Sequence, residues 1–167
     1  GLVTALHAAL RALSEQRLRR LIALVVGSQL GTILVGAAAL RDQAATYNLD
    51  LNRVAAIGHS AGGHLALWIA ARHKLPANSP MRMDNPLKLA AVINSGGLAD
   101  LKASRGVTQR DCLADIYDQL VGDISSTRAE VLSDTSPAEM LPLKLRQVSV
   151  NGHDDNIAPA VLGEGYT

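Results

Sequence analysis

The stretch that most constrains the fold is VAAIGHSAGGHLALWIAARH, residues 54–73. Its first part, residues 54–58, is a short apolar run of the kind that forms a buried strand. From Ala61 onwards the apolar residues follow a helical spacing, and Pro76 ends that pattern. Because no loop separates the two patterns, the chain is predicted to turn directly from a strand into a helix at Ser60.

The predicted turn reads Gly58-His59-Ser60-Ala61-Gly62. Larger side chains would collide across such a bend, so we expect small residues two positions before and two positions after Ser60, where Gly58 and Gly62 stand. The helix that follows points backbone N–H groups at the turn and stabilises negative charge there, with the N–H of Ala61 as the first oxyanion donor. In this context G-x-S-x-G indicates a nucleophilic serine; a glycine-rich turn with an incidental serine is the alternative.

The remaining apolar runs predict a parallel sheet. Strands alternate with helices along the chain, which is the order of a parallel sheet with helical crossovers and therefore an α/β fold. Ser136-Pro137 is expected to begin a turn or short helix. The expected strands are 21–26, 54–58, 87–95 and 147–152, and the expected helices are 4–20, 33–46, a helix from Ala61, 111–121 and 126–132.

Composition excludes several classes of function. The net charge of +1 gives no electrostatic reason to expect a nucleic-acid partner. One cysteine, Cys112, excludes an internal disulfide and is compatible with a cytoplasmic location. The sequence contains no H-E-x-x-H, no paired cysteines at metal-site spacing and no G-x-G-x-x-G. We therefore expect neither a metal nor an organic cofactor.

An uncharged stretch at residues 21–40 raises the question of a membrane span. Its length reaches the roughly 20 residues that a membrane helix needs. Three glycines and the polar residues Ser28, Gln29 and Thr32 dilute its hydrophobicity. A buried strand followed by a loop and a helix is the favoured interpretation, and a membrane anchor is the alternative.

Four segments together resemble the α/β-hydrolase superfamily, in particular small esterases and kynurenine-formamidase-like enzymes. These segments are YNLDLNRVAAIGHSAGGHLALWIAARHKLP at 47–76, INSGGLADL at 93–101, SPAEMLPL at 136–143 and VNGHDDNIAP at 150–159. The resemblance covers residues 31–167, whereas residues 1–30 do not resemble the family. It implies a partial α/β-hydrolase domain, incomplete at both ends, and a serine hydrolase acting on a small carboxylic ester or amide.

The resemblance also implies roles for individual residues. The nucleophile corresponds to Ser60. The acid of the family lies in a G-x-x-D-x-x-x-P turn, here Gly152, Asp155 and Pro159, so Asp155 corresponds to the acid and would orient a catalytic imidazole. Its neighbour Asp154 is the alternative. A solvated turn without catalytic meaning is the competing interpretation of this acidic pair.

The base is the residue that the sequence does not supply. The family places its histidine well after the acid, and no histidine follows His153 here. His59 is expected to be turned away by the bend, and the other histidines carry no matching motif: His7, His64, His73 and His153. The family's HGG-type loop, which supplies the second oxyanion donor, is not found in this sequence, and the backbone of Gly27 or Ser28 is the candidate in its place. We expect a partial chain that catalyses poorly; the alternative is a non-catalytic remnant.

Two further expectations concern partners. An incomplete sheet would leave an unpaired edge, which favours self-association. The partner that the resemblance implies is a small-molecule ester or amide substrate.

Overall fold

A computed structural model of the chain describes residues 29–107, 117 and 121–166. The chain divides into two compact units, Gly1–Leu51 and Asn52–Thr167. The elements expected at 4–20 and 21–26, and most of the helix expected at 111–121, lie outside the described residues.

The described part of the first unit is a helix and the turn after it. Helix α1 spans Gln29–Gln43, so the helix expected at 33–46 is present but begins and ends earlier. The backbone N–H of Leu49 then bonds the carbonyl of Ala44 at 2.9 Å, and Asn48 adopts φ 51°. None of the helices among the described residues has both the length and the apolar character needed to cross a membrane.

The second unit contains a parallel sheet. Its described strands are β1 (Ala55–His59), β2 (Ala91–Ser95) and β3 (Arg146–Val150), in the spatial order β1-β2-β3. Both neighbouring pairs are parallel, and Ile57, Ile93 and Val148 stand side by side in register. The predicted α/β fold with a parallel sheet is therefore confirmed.

Helices connect the strands, as a parallel sheet requires. The described helices of this unit are α2 (Ala61–Ala71), α3 (Leu101–Val107), α4 (Leu132–Thr135) and α5 (Ala160–Glu164), with 3₁₀ turns at Arg72–Lys74 and Pro137–Met140. The turn or short helix expected at Ser136-Pro137 is thus present. The strand expected at 87–95 begins only at Ala91, although the N–H of Ala90 already bonds the carbonyl of Val54.

The helix expected at 126–132 is wrong. Ser125 and Arg128 instead exchange backbone hydrogen bonds across a tight turn, and helix α4 begins only at Leu132. The backbone carbonyl of Thr127 accepts a hydrogen bond from the Asn78 amide. These tertiary contacts outweigh a weak local helical preference.

The core lies between α2 and the sheet. Helix α2 packs against β1 and β2 and buries Leu67 and Trp68, while Val92 of β2 is fully buried beneath it. On the opposite face, Ile57 and Val148 remain half exposed. Self-association through a sheet edge stays a prediction, with β1 and β3 as the outer strands of the described sheet.

Candidate active site

Ser60 occupies the junction between a strand and a helix, because β1 ends at His59 and α2 begins at Ala61. Its backbone has φ 55° and ψ −126°, a conformation that costs a non-glycine residue of order 1–3 kcal/mol. Hydrogen bonds compensate for this cost: the Ser60 N–H bonds the Ser95 carbonyl at 2.8 Å, and the Ser60 carbonyl accepts the N–H of Gly63 at 2.9 Å. Strained backbone of this kind clusters at functional sites.

The glycines around this junction have different steric roles. A Cβ on Gly58 would lie 2.0 Å from the Gly62 carbonyl oxygen, so a glycine is required there, as expected. The same expectation is wrong for Gly62, because a Cβ there would meet nothing within 4 Å. The steric restriction lies one residue later, at Gly63, where a Cβ would be 2.2 Å from Oδ1 of Asn94. The bend brings the backbone of residue 62 close to Gly58, but the hydrogens of residue 62 face open space.

Ala61 is the first residue of α2, so its N–H belongs to the N-terminal turn of that helix. Backbone N–H groups in this turn lack partners within the helix, and the helix dipole places partial positive charge beside them. The side chain of Ser60 is exposed next to this turn. The arrangement could therefore stabilise an oxyanion formed at Ser60.

Asp155 lies on the turn that follows β3. Its Oδ1 accepts the backbone N–H groups of Ile157 at 2.8 Å and Ala158 at 2.9 Å, and its own N–H bonds the Gly152 carbonyl at 3.2 Å. The hydrogen bonds from Ala158 and then Ile157 are the main reason that the pKa of Asp155 lies below its ordinary value, and the nearby His59 lowers the pKa further. Asp155 is thus held as a carboxylate.

The alternative acid, Asp154, is placed differently. Its Oδ1 lies 2.8 Å from Nδ1 of His153, and both side chains are almost wholly in solvent, at 97% and 96% exposure. An exposed pair of this kind contributes little to structure. Of the two carboxylates, only Asp155 is fixed by the backbone of its own turn.

Ser60 and Asp155 follow the carboxyl ends of parallel strands and so lie at the same edge of the sheet. The end of β2 separates them: the Gly96 N–H bonds the Val150 carbonyl at 2.8 Å, beside β3. Gly96 has φ +59°, and a Cβ on it would lie 3.6 Å from both Oδ2 of Asp155 and Cε1 of His59. The open α/β sheets of enzymes place their ligands at this edge.

The histidines differ in their surroundings. The His59 ring lies near the acid turn: a Cβ on Gly96 would be 3.6 Å from both its Cε1 and Oδ2 of Asp155, and its Nδ1 lies 3.4 Å from Oγ of Ser95. His64 is buried, its Nδ1 lies 2.7 Å from the Leu98 carbonyl, and burial lowers its pKa. His73 Nδ1 lies 3.1 Å from the carbonyl of Ala70 in the preceding helix α2. His7, like Gly27 and Ser28, lies outside the described residues.

A polar network that the sequence analysis missed connects β2 to the acid turn. Asn94, fully buried on β2, donates through Nδ2 to Oγ of Ser149 at 3.0 Å. The Ser149 hydroxyl bonds Oδ1 of Asn151 at 3.2 Å, and the Asn151 amide bonds the Ala158 carbonyl at 2.8 Å. An asparagine within the apolar run AAVINS was the available signal. In the described part of the chain, no group of three or more potential metal ligands lies together.

Comparison with solved structures shows the same fold in esterases. A lipase/esterase from Lactobacillus plantarum matches with 18% identity and a TM-score of 0.59 over 82% of this chain and 50% of that chain. A carboxylesterase from the same organism matches with 19% identity and a TM-score of 0.56 over 82% of this chain and 45% of that one. A truncated carbohydrate esterase from gut microbiota matches with 16% identity and a TM-score of 0.58 over 83% and 53%.

The chain therefore spans about half of each of these structures. No curated protein sequence matches it significantly. The BD-FAE family matches residues 36–161, which is more than half of the chain and includes β1, α2, β2 and β3. The chain belongs to the BD-FAE family, whose domain is α/β-hydrolase-like, and it shares its fold with the solved esterases described above.

Proposed function

We propose that this chain carries the nucleophile and the acid of a serine hydrolase that cleaves small carboxylic esters or amides. The observation that supports the proposal most is the backbone of Ser60, which holds φ 55° between a strand and a helix at the sheet edge where Asp155 also lies. Two independent features, a strained serine and a carboxylate held by backbone N–H groups, meet at one edge. A merely structural turn needs neither.

In the proposed reaction, Oγ of Ser60 attacks the carbonyl carbon of the substrate and its proton passes to a histidine base. The oxyanion develops beside the N-terminal turn of α2, where the Ala61 N–H donates to it. The histidine then protonates the leaving alcohol or amine, and water hydrolyses the acyl-serine by the same route. Asp155 orients the imidazole and stabilises its charged form.

We propose that this histidine lies outside residues 29–166. Within those residues, His64 is buried against Leu98, His73 lies against the end of helix α2 and His153 is in solvent. His59 is the rival, since its ring lies near Asp155. A serine without its base is a weak nucleophile. We therefore expect this chain to hydrolyse esters much more slowly than an esterase does.

The test uses a fluorophosphonate probe and p-nitrophenyl acetate on the purified chain and on a version extended by a histidine-bearing C-terminal segment of a related esterase. We expect slow labelling of the chain, and at least about 10³-fold faster turnover in the extended version, since losing one triad member costs about that much or more. Ser60→Ala should abolish labelling, whereas the control Ser133→Ala, which removes a hydroxyl bonded to the Glu130 carbonyl, should retain it.

Three results would change the proposal. Absence of labelling in both versions would contradict a nucleophilic Ser60 and support a non-catalytic domain. Esterase-like rates in the short chain that vanish in His59→Gln would make His59 the base. Retention of full activity in Asp155→Asn within the extended chain would remove Asp155 from the triad.

A further inference from the structure

Asn94 lies on the middle strand of the described sheet and takes no part in the reaction proposed above. Asparagine is disfavoured within strands, and burying its amide costs free energy unless hydrogen bonds replace those with water. Asn94 is fully buried beside Val92 and Ile93, where an aliphatic residue would fit the apolar run. Because burying this amide costs free energy, we expect Asn94 to have a role that an aliphatic residue could not fulfil.

The amide of Asn94 contacts both sides of the candidate site. On the Ser60 side, Oδ1 accepts the Gly97 N–H at 3.0 Å and fills the space that a Cβ on Gly63 would occupy. Gly63 in turn donates its N–H to the Ser60 carbonyl at 2.9 Å. Any shift of the Asn94 amide would therefore disturb the first turn of the helix that follows Ser60.

On the acid side, Nδ2 of Asn94 starts a chain of hydrogen bonds. Nδ2 donates to Ser149, the Ser149 hydroxyl donates to Asn151, and the Asn151 amide donates to the Ala158 carbonyl. The N–H of Ala158 is one of the two donors that hold the Asp155 carboxylate. In each of these three bonds a group that can donate faces a group that can accept, so all three bonds can form at the same time.

We propose that Asn94 is a positioning residue that fixes the Asp155 turn relative to Ser60 through Ser149 and Asn151. Its importance for catalysis rests on the function proposed above. The contacts that hold residues 151–158 in place do not depend on that function and can be tested without it.

The test measures the acid turn directly by NMR, without substrate. Ser149→Ala removes one half-buried hydroxyl and interrupts the series while leaving the Asn94–Gly97 bonds intact. The matched control, Ser133→Ala, removes a hydroxyl that bonds a backbone carbonyl elsewhere. Losing one neutral hydrogen bond corresponds to roughly a fivefold change in a local opening equilibrium. We expect amide exchange at Ile157 and Ala158 to accelerate about fivefold in Ser149→Ala only.

A second readout separates positioning from general destabilisation. As the Ala158 and Ile157 bonds loosen, the pKa of Asp155 should rise towards its ordinary value in Ser149→Ala and not in Ser133→Ala. Asn94→Asp keeps the acceptor for the Gly97 N–H but removes the amide donor to Ser149 and to the Gly97 carbonyl, so it should act in the same direction. If that variant does not fold, Ser149→Ala decides alone.

Unchanged exchange at residues 157 and 158 together with an unchanged Asp155 pKa in Ser149→Ala would overturn the proposal. Acceleration spread equally over the whole sheet would also overturn it, because it would show a general stabilising role. Fluorophosphonate labelling is scored separately: a chain that shows the expected NMR changes but never labels at Ser60 would refute the proposed function and leave the positioning role intact.

Discussion

The steric difference between Gly58 and Gly62 gives the sharpest prediction about the turn at Ser60. In Gly58→Ala, the new Cβ would lie 2.0 Å from the carbonyl oxygen of Gly62, 2.2 Å from its carbonyl carbon and 2.7 Å from the nitrogen of Gly63. All three are backbone atoms, so no side-chain rotation can relieve the contact. Overpacking costs typically about 1–3 kcal/mol, and we expect a loss at or above the upper end of that range.

Gly62→Ala is the matched control. A Cβ there has no neighbour within 4 Å, and the position lies inside α2. Alanine is favoured over glycine in helices by about 0.5–1 kcal/mol, so this variant should be neutral or slightly more stable than the parent chain. The free energies of unfolding of the two alanine variants should differ by about 3–4 kcal/mol.

Urea unfolding measures this difference. Trp68 is the single tryptophan of the sequence, is 2% exposed, and lies on α2 with its indole N–H bonded to the Asp134 carbonyl at 2.7 Å. Its fluorescence therefore reports on the helix that follows the turn. A Gly58→Ala chain within 0.5 kcal/mol of the parent, or a Gly62→Ala chain that loses as much as Gly58→Ala, would refute the described turn.

Two further predictions concern buried polar groups. Asp134 is buried and receives three hydrogen bonds from Arg128, so Arg128→Met should lower the free energy of unfolding by about 3–5 kcal/mol and Arg128→Lys by less, as measured by urea unfolding. Burial holds the pKa of His64 below its unfolded value of 6.5, so the unfolded chain binds the proton more readily and stability should fall as pH drops below 6.5. His64→Gln should flatten this dependence between pH 7.5 and 5.5, and an unchanged slope would contradict the assignment.

The sequence predicts well what depends on neighbouring residues. The strand, turn and helix around Ser60 follow from a local change of hydrophobic period, and the observed bounds differ from the expected ones by one residue at β1. The resemblance carried by Gly152, Asp155 and Pro159 pointed to the turn after β3, and the role of Asp155 as the acid stays a prediction. Helices α3 and α5, with seven and five residues, are too short for a periodic pattern to show.

What the sequence does not show depends on contacts between distant segments. Asn94 bonds Ser149 across 55 positions, and no periodicity encodes that pairing. The helix wrongly predicted at 126–132 fails for a similar reason, since the Asn78 amide, 49 positions away, bonds the carbonyl of Thr127. The proximity of the His59 ring to Ser95 and Asp155 likewise joins segments that are far apart in the sequence.

Strand β2 supplies neither the proposed nucleophile nor the proposed acid, yet the geometry of the site depends on it. Its last residue, Ser95, accepts the N–H of Ser60, and the next residue, Gly96, donates to Val150 at the end of β3. These two bonds link the end of β2 to the end of β1 on one side and to the end of β3 on the other. The turns that bear Ser60 and Asp155 therefore start from the same short backbone segment, residues 95–96. Hydrogen bonds of a rigid parallel sheet thereby bring together two residues that are far apart in the sequence. A substitution in β2 should therefore change the distance between Ser60 and Asp155 more readily than one at either outer strand, although β2 contacts neither the attacking oxygen nor the imidazole in the proposed reaction.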